Sequence, residues 1–131
     1  MRAITLYQPW ATWIADGDKR YETRSWRTDY RGEILIHAGK FDKFLPINHD
    51  YPLGAVLAIA TLAHIYPTEG VAVDEVERSR GDWSRDRFAW LFRNVRPLAE
   101  PVPCRGKQGL WTPDDDLMDR VYAAGLKERM S

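Results

Sequence analysis

Residues 54–68, GAVLAIATLAHIYPT, hold the longest apolar run of the chain, and their state decides the architecture. At about twelve residues, with several alanines, the run is compatible with a buried helix as well as a strand. Val56, Ile59, Thr61 and Ile65 are β-branched, and Gly54 and Pro67 bracket the run, so it is assigned to a buried strand. The neighbours follow from that choice. Residues 2–7 and 34–36 read as short apolar strands. Residues 87–98, RFAWLFRNVRPL, alternate, and the proline-containing 99–111 is expected at a sheet edge or as a wrapping segment.

Helices punctuate this β pattern. PWATWIAD, residues 9–16, gives two turns with Pro9 at the first position, Trp10, Trp13 and Ile14 on one face and Gly17 as the stop. Residues 40–54 form a Pro-containing connection with one helical turn, and 69–85 a loop with some helix. Residues 113–129 are expected to be a closing helix, with Thr112 as cap, Pro113 at the first helical position, Asp114, Asp115 and Asp116 in the first turn, and Lys127 and Arg129 at its end. The fold class is mainly β with peripheral helices: a small, mostly antiparallel β-barrel carrying one helix after the first strand and another at the C-terminus, in one domain over residues 1–131.

Composition narrows the function. The 131 residues carry 19 basic and 19 acidic side chains, which argues against a bulk electrostatic coat for nucleic acid, and any such contact must be local. Cys104 is alone and His37, His49 and His64 are scattered, which gives neither an internal disulfide nor a zinc pattern. No metal or cofactor is expected. No run approaches the roughly 20 apolar residues that span a bilayer, and the N-terminus lacks a secretory core, so a cytoplasmic location without membrane contact is the expectation. Six tryptophans are the compositional oddity. Large flat side chains fill cores and also stack on bases.

The densest chemistry lies at residues 17–24, Gly-x-Lys-x-x-Glu-x-Arg. On a strand over residues 20–26, Arg20, Glu22, Arg24 and Trp26 share one side, with Tyr21, Thr23 and Ser25 on the other. Lys19 would then stand at a cleft rim as a phosphate cation, Glu22 would accept from a base amino group, Arg24 would orient ribose or phosphate, and Trp26 would stack. A plain Glu22–Arg24 ion pair beside a solvated Lys19 fits the same spacing. Gln8 precedes the helix where a Ser or Asp cap is usual, which leaves its amide to face the cleft or the solvent. Arg105 and Lys107, in CRGKQG, are candidate phosphate contacts in a Gly-containing turn. His37 is read as a hydrogen-bonded strand end in preference to a catalytic base, and Trp83 as a lid.

ITLYQPWATWIADGDKRYETRSW, followed in order by GEILIHAGK, PLGAVLAIATL, FAWLFRNVRPL and RGKQGLW, resembles the ASCH family of the PUA-like superfamily over residues 4–111. The resemblance implies a PUA-like barrel whose cleft, between the first helix, the charged strand and nearby loops, binds RNA or a modified nucleoside or nucleotide. Some small bacterial members of that family remove acyl groups from N4 of cytidine. In them a Thr stands where this chain has Glu22, and the motif Lys is thought to activate it. An enzymatic alternative would therefore use Lys19 and Glu22 to hydrolyse N4-acylated cytidine, or would cleave RNA. Family members are also found attached to transcription factors, so a protein-interaction module is the third reading.

Overall fold

A computed structural model describes residues 1–128. Its strands are β1 (Arg2–Leu6), β2 (Tyr21–Arg24), β3 (Gly32–Ala38), β4 (Ala55–Pro67), β5 (Phe88–Pro103) and β6 (Leu110–Trp111), with helices α1 (Trp10–Ala15), α2 (Glu75–Ser79) and α3 (Asp115–Ala124). The apolar run is β4, a strand as its β-branched residues require. The six strands form one sheet in the order β2-β5-β4-β3-β1-β6, in which only β1 and β3 run parallel. The sheet curls so far that Arg24, on β2, donates to the backbone carbonyl of Thr5, on β1, four places along the strand order. The result is a half-barrel with β2 and β6 at its ends.

Both faces of the sheet are buried, which is why its central strands are apolar without a polar alternation. Ile34, Ile36, Ala60, Leu62, Trp90 and Phe92 pack with Ile14 of α1 on one face; Leu35, Val56, Ile59, Leu98 and Val102 pack with Leu117 and Val121 of α3 on the other. Register shifts along β4–β5 at three points bend the long pair and keep each residue on its face.

Several element ends differ from the sequence expectations. The proline-containing stretch lies at a sheet edge as expected, continuing β5 as far as Pro103. β2 is only four residues long, so β5 beyond Leu91 is flanked by β4 alone, and an edge tolerates proline. Part of that edge is covered by the chain after α3, where Ala99 N–H donates to Gly125 and Lys127 N–H to Pro97. The cap of α3 is Asp114, whose carboxylate accepts from Leu117 N–H at 2.8 Å, while Thr112 accepts from Arg2 and Pro113 lies buried before the cap. Asp116 pairs with Arg120, so capping and this pair use two of the three aspartates. The helix ends at Ala124, Lys127 lies beyond it, and Arg129 is outside the described residues. Finally β2 stops at Arg24, and Pro9 occupies the cap position of α1, one residue before its first turn. Among the described residues no helix is long and apolar enough to cross a membrane.

Candidate nucleic-acid interface

The Gly17–Arg24 motif is built into the frame of the fold. Gly17, with φ of 82°, ends α1, and Lys19 N–H then donates to Trp13, which turns the Lys19 side chain inward. Lys19 does not stand at a rim: it is 1% exposed, covered by residues 74–83. Its ammonium lies 3.8 Å from Glu77 and makes no hydrogen bond, while the other Glu77 oxygen accepts from Arg20 N–H at 2.8 Å. Burial pulls the Lys19 pKa below its ordinary value; Glu22 and Glu77 oppose the shift and Arg80 adds to it.

Glu22 and Arg24 share a face, as alternation demands. Glu22 is opposite Trp90 and Arg24 opposite Phe88, with Thr23 on the other side against Ala89. The pair is 3.3 Å apart and mostly buried. Burial raises the Glu22 pKa, against the attraction first of Arg24 and then of Lys19 and Arg87. Arg24 spends one amino group on the Thr5 carbonyl at 2.7 Å, and its Nε has no protein partner. Thr23 is buried and accepts from Asp82 N–H; its hydroxyl and the Lys19 ammonium both border Gly81.

Two expected cleft residues turn to the core, Gln8 inside it and Trp26 against it. Gln8 is fully buried: its amide accepts from Thr12 N–H and donates to the Thr12 hydroxyl and the Pro52 carbonyl, so it fastens the start of α1. Trp26 follows the strand and packs edge-on against Trp90 at 4.8 Å, accepting from that indole through its own carbonyl. Trp83 donates to the Glu77 carbonyl and packs against Tyr21, over the Lys19 pocket.

The open concavity lies elsewhere, at the ends of β1 and β3, with a volume of about 580 Å³. Lys40, Arg105 and Lys107 supply its charge, Tyr7 and Phe41 its aromatic wall, and Thr5, His37 and Gly106 its floor. The floor is a closed hydrogen-bond chain. The Trp111 indole donates to the Thr5 hydroxyl at 3.1 Å, Thr5 and His37 Nδ1 are 3.1 Å apart, and His37 Nε2 is 3.0 Å from the Cys104 carbonyl. A carbonyl can only accept, so Nε2 carries the proton and Nδ1 accepts from Thr5. Burial lowers the His37 pKa, with partial opposition from the bond to Cys104, and so favours this neutral tautomer. The basic loop lies directly on the chain: a Cβ at Gly106 would be 2.5 Å from the Thr5 hydroxyl and 2.6 Å from the His37 ring. Only glycine permits that approach.

The ASCH domain profile matches residues 4–101. The chain belongs to the ASCH domain family. Curated relatives include activating signal cointegrator 1 of Mus musculus, 24% identical over 146 residues, and that of Homo sapiens, 24% identical over 149; each alignment covers 95% of this chain and 24% of the relative. The chain thus spans about a quarter of the length of these relatives. Among solved structures, the crystal structure of ASCH from Zymomonas mobilis superposes with a TM-score of 0.63 at 16% identity, covering 93% of both chains. A serine-to-alanine mutant of that Zymomonas protein superposes with 0.61 at 17% identity, covering 93% of this chain and 94% of that one. These share the PUA-like fold.

In this ASCH domain the expected site residues separate. Lys19 lies with Glu77 beside Gly81, Glu22 and Arg24 pair on the face of β2 opposite Thr23, and Arg105 and Lys107 are exposed on the open cleft. The Thr5 peptide joins the β2 pair to the cleft, since its carbonyl holds Arg24 and its hydroxyl belongs to the cleft floor. Sequence reasoning missed Glu77, one acid in a charged loop with no periodic signal. It also missed the cleft roles of Thr5, Tyr7, Lys40 and Phe41. The spacing Lys40-Phe41-x-Lys43-Phe44, cations beside aromatics in a connection with no core face, was the available sign.

Proposed function

We propose that this ASCH domain binds RNA or a modified nucleoside at the cleft on the ends of β1 and β3. Arg105, Lys107 and Lys40 contact phosphate, and Tyr7 and Phe41 meet a base or sugar. The observation that supports the reading is the convergence of three cations on an open, aromatic-walled cleft in a chain with no net charge. Gln8, Lys19, Glu22 and Arg24 act from behind this surface: Gln8 fastens α1, Lys19 and Glu77 hold β2, and Arg24 fixes the Thr5 peptide beneath the ligand. Fluorescence anisotropy with a labelled short single-stranded RNA tests this. Arg105→Ala and Lys107→Ala each weaken binding, and three phosphate contacts give a log–log salt slope of about −2. Unchanged affinity in both variants counts against the cleft.

A second reading, hydrolysis of N4-acylated cytidine, draws on a different observation. The Lys19 ammonium is buried without a hydrogen bond, its pKa is lowered by burial against the attraction of Glu22, and it borders Gly81 as the Thr23 hydroxyl does. A lysine pushed toward neutrality is suited to general-base work. Residues 74–83 cover it, so substrate entry requires that segment to move. Cytidine formed from N4-acetylcytidine, followed by mass spectrometry and lost in Glu22→Gln, supports the reading; no product from the parent protein removes it.

A further inference from the structure

We propose that the aromatic side chains beyond the cleft are a stacking platform for successive bases, so that the ligand is a single-stranded nucleic acid of several nucleotides and neither a free nucleoside nor a duplex. This rests on the reading of the cleft as a phosphate site and adds to it a second, adjoining surface. Tyr7 and Phe41 wall the cleft, and the rings continue away from it. Tyr7 and Phe41 are 4.6 Å apart, Phe41 and Phe44 5.4 Å, and Phe44 and Trp10 5.1 Å. In a chain whose other tryptophans and phenylalanines pack largely inside, Tyr7, Phe41 and Phe44 are 52%, 40% and 54% exposed.

Charge selects the occupant. Lys40 and Lys43 flank these phenylalanines in sequence and Arg105 and Lys107 lie on the adjoining cleft, with Asp42 the one acid within residues 40–47. An apolar protein partner seated there would strip water from several cations, which interface cores avoid. A single strand supplies what both parts need: phosphates for the cations and unpaired base faces for the rings. Bases in a duplex are already stacked on both faces, and a nucleoside has one base to offer several rings.

The test uses the full chain, a labelled six-nucleotide single-stranded RNA, the same sequence annealed to its complement, and unlabelled adenosine 5′-monophosphate as competitor, all by anisotropy. Phe44→Ala is expected to weaken the hexanucleotide about tenfold, within the range for one lost base stack, and to leave competition by the mononucleotide unchanged; Phe44→Trp restores binding. Arg105→Ala weakens both ligands. The duplex binds more weakly than the single strand. If Arg105→Ala weakens binding while Phe44→Ala stays within twofold, or the duplex binds equally well, the platform is wrong and the cleft stands. If the hexanucleotide binds and neither variant alters it, both fall, as they do if nothing binds. Self-association that Phe44→Ala abolishes and the hexanucleotide does not displace overturns the inference in favour of a second copy of the chain. Phe44 is half exposed, so folding of its variants, checked by circular dichroism, is expected to be intact.

Discussion

Replacing Gly106 by alanine tests the geometry on which the cleft depends. The added methyl would sit 2.5 Å from the Thr5 hydroxyl, 2.6 Å from His37 Cε1 and 2.7 Å from its Nδ1, where ordinary contact begins near 3.4 Å, so close to 1 Å must be found. Thr5 cannot yield it. Its strand is paired on both sides, with β3 and β6, and its carbonyl holds Arg24. His37 is also fixed, with both ring nitrogens engaged. The loop must therefore lift and strain the His37–Cys104 bond. Overpacking of this kind costs about 1–3 kcal/mol, and one net hydrogen bond about 1 kcal/mol where the loop relaxes fully. For a chain of this size the melting temperature should fall by roughly 4–12 °C. Arg105 and Lys107 move with the loop, so RNA affinity should fall with it. Thermal melting and anisotropy read the two effects, and Gly70→Ala, whose Cβ meets nothing closer than 3.9 Å, is the control. Stability within about 0.5 kcal/mol of the parent, together with unchanged binding, would refute the seating of this loop.

Other outcomes follow from the same contacts. His37 has a lowered pKa in the folded chain, so the unfolded chain binds its proton first; stability should be full well above pH 6.5 and decline as pH falls from there through the folded value, and His37→Asn should flatten that slope in denaturant melts across pH. Lys19→Met leaves the buried Glu77 carboxylate with only the exposed Arg20 guanidinium, 3.9 Å away, and should cost up to about 3–5 kcal/mol, most of it regained in Lys19→Met/Glu77→Gln, as a double-mutant cycle by urea unfolding would show. Asp114→Ala removes the cap of α3 and should cost about 1 kcal/mol by the same assay.

The parts of the molecule that local pattern controls were legible. β-branching identified β4, period-two alternation put Glu22 and Arg24 on one face and Thr23 on the other, and the first-turn aspartates marked α3. The choice among Thr112, Pro113 and Asp114 for its cap was not, because all three are good residues for a helix start. Family resemblance identified the PUA-like fold and the charged motif, but a motif says which residue types are present without saying which way they point. Lys19 is buried by Glu77 and Gly81, far along the chain, and no spacing near Lys19 reports that cover. The cleft is likewise a product of distant segments: the end of β1, the loop after β3 and the loop after β5. Arg105 and Lys107 stood out in the sequence as cations beside Gly106 in a turn, whereas Thr5 and His37 look like ordinary strand residues until Gly106 is laid across them.

The proposed function requires that ligand meet this ASCH domain at the Arg105–Lys107 loop. Amide and indole chemical shifts of isotopically labelled protein, followed while a short single-stranded RNA is added, address it most directly. Progressive shifts are expected at Gly106, Lys107, Lys40 and Tyr7 and at the Trp111 indole N–H, which senses Thr5 from below the cleft. Shifts confined to Thr23, Gly81 and Trp83 would place the ligand in the Lys19 pocket instead, and would contradict it.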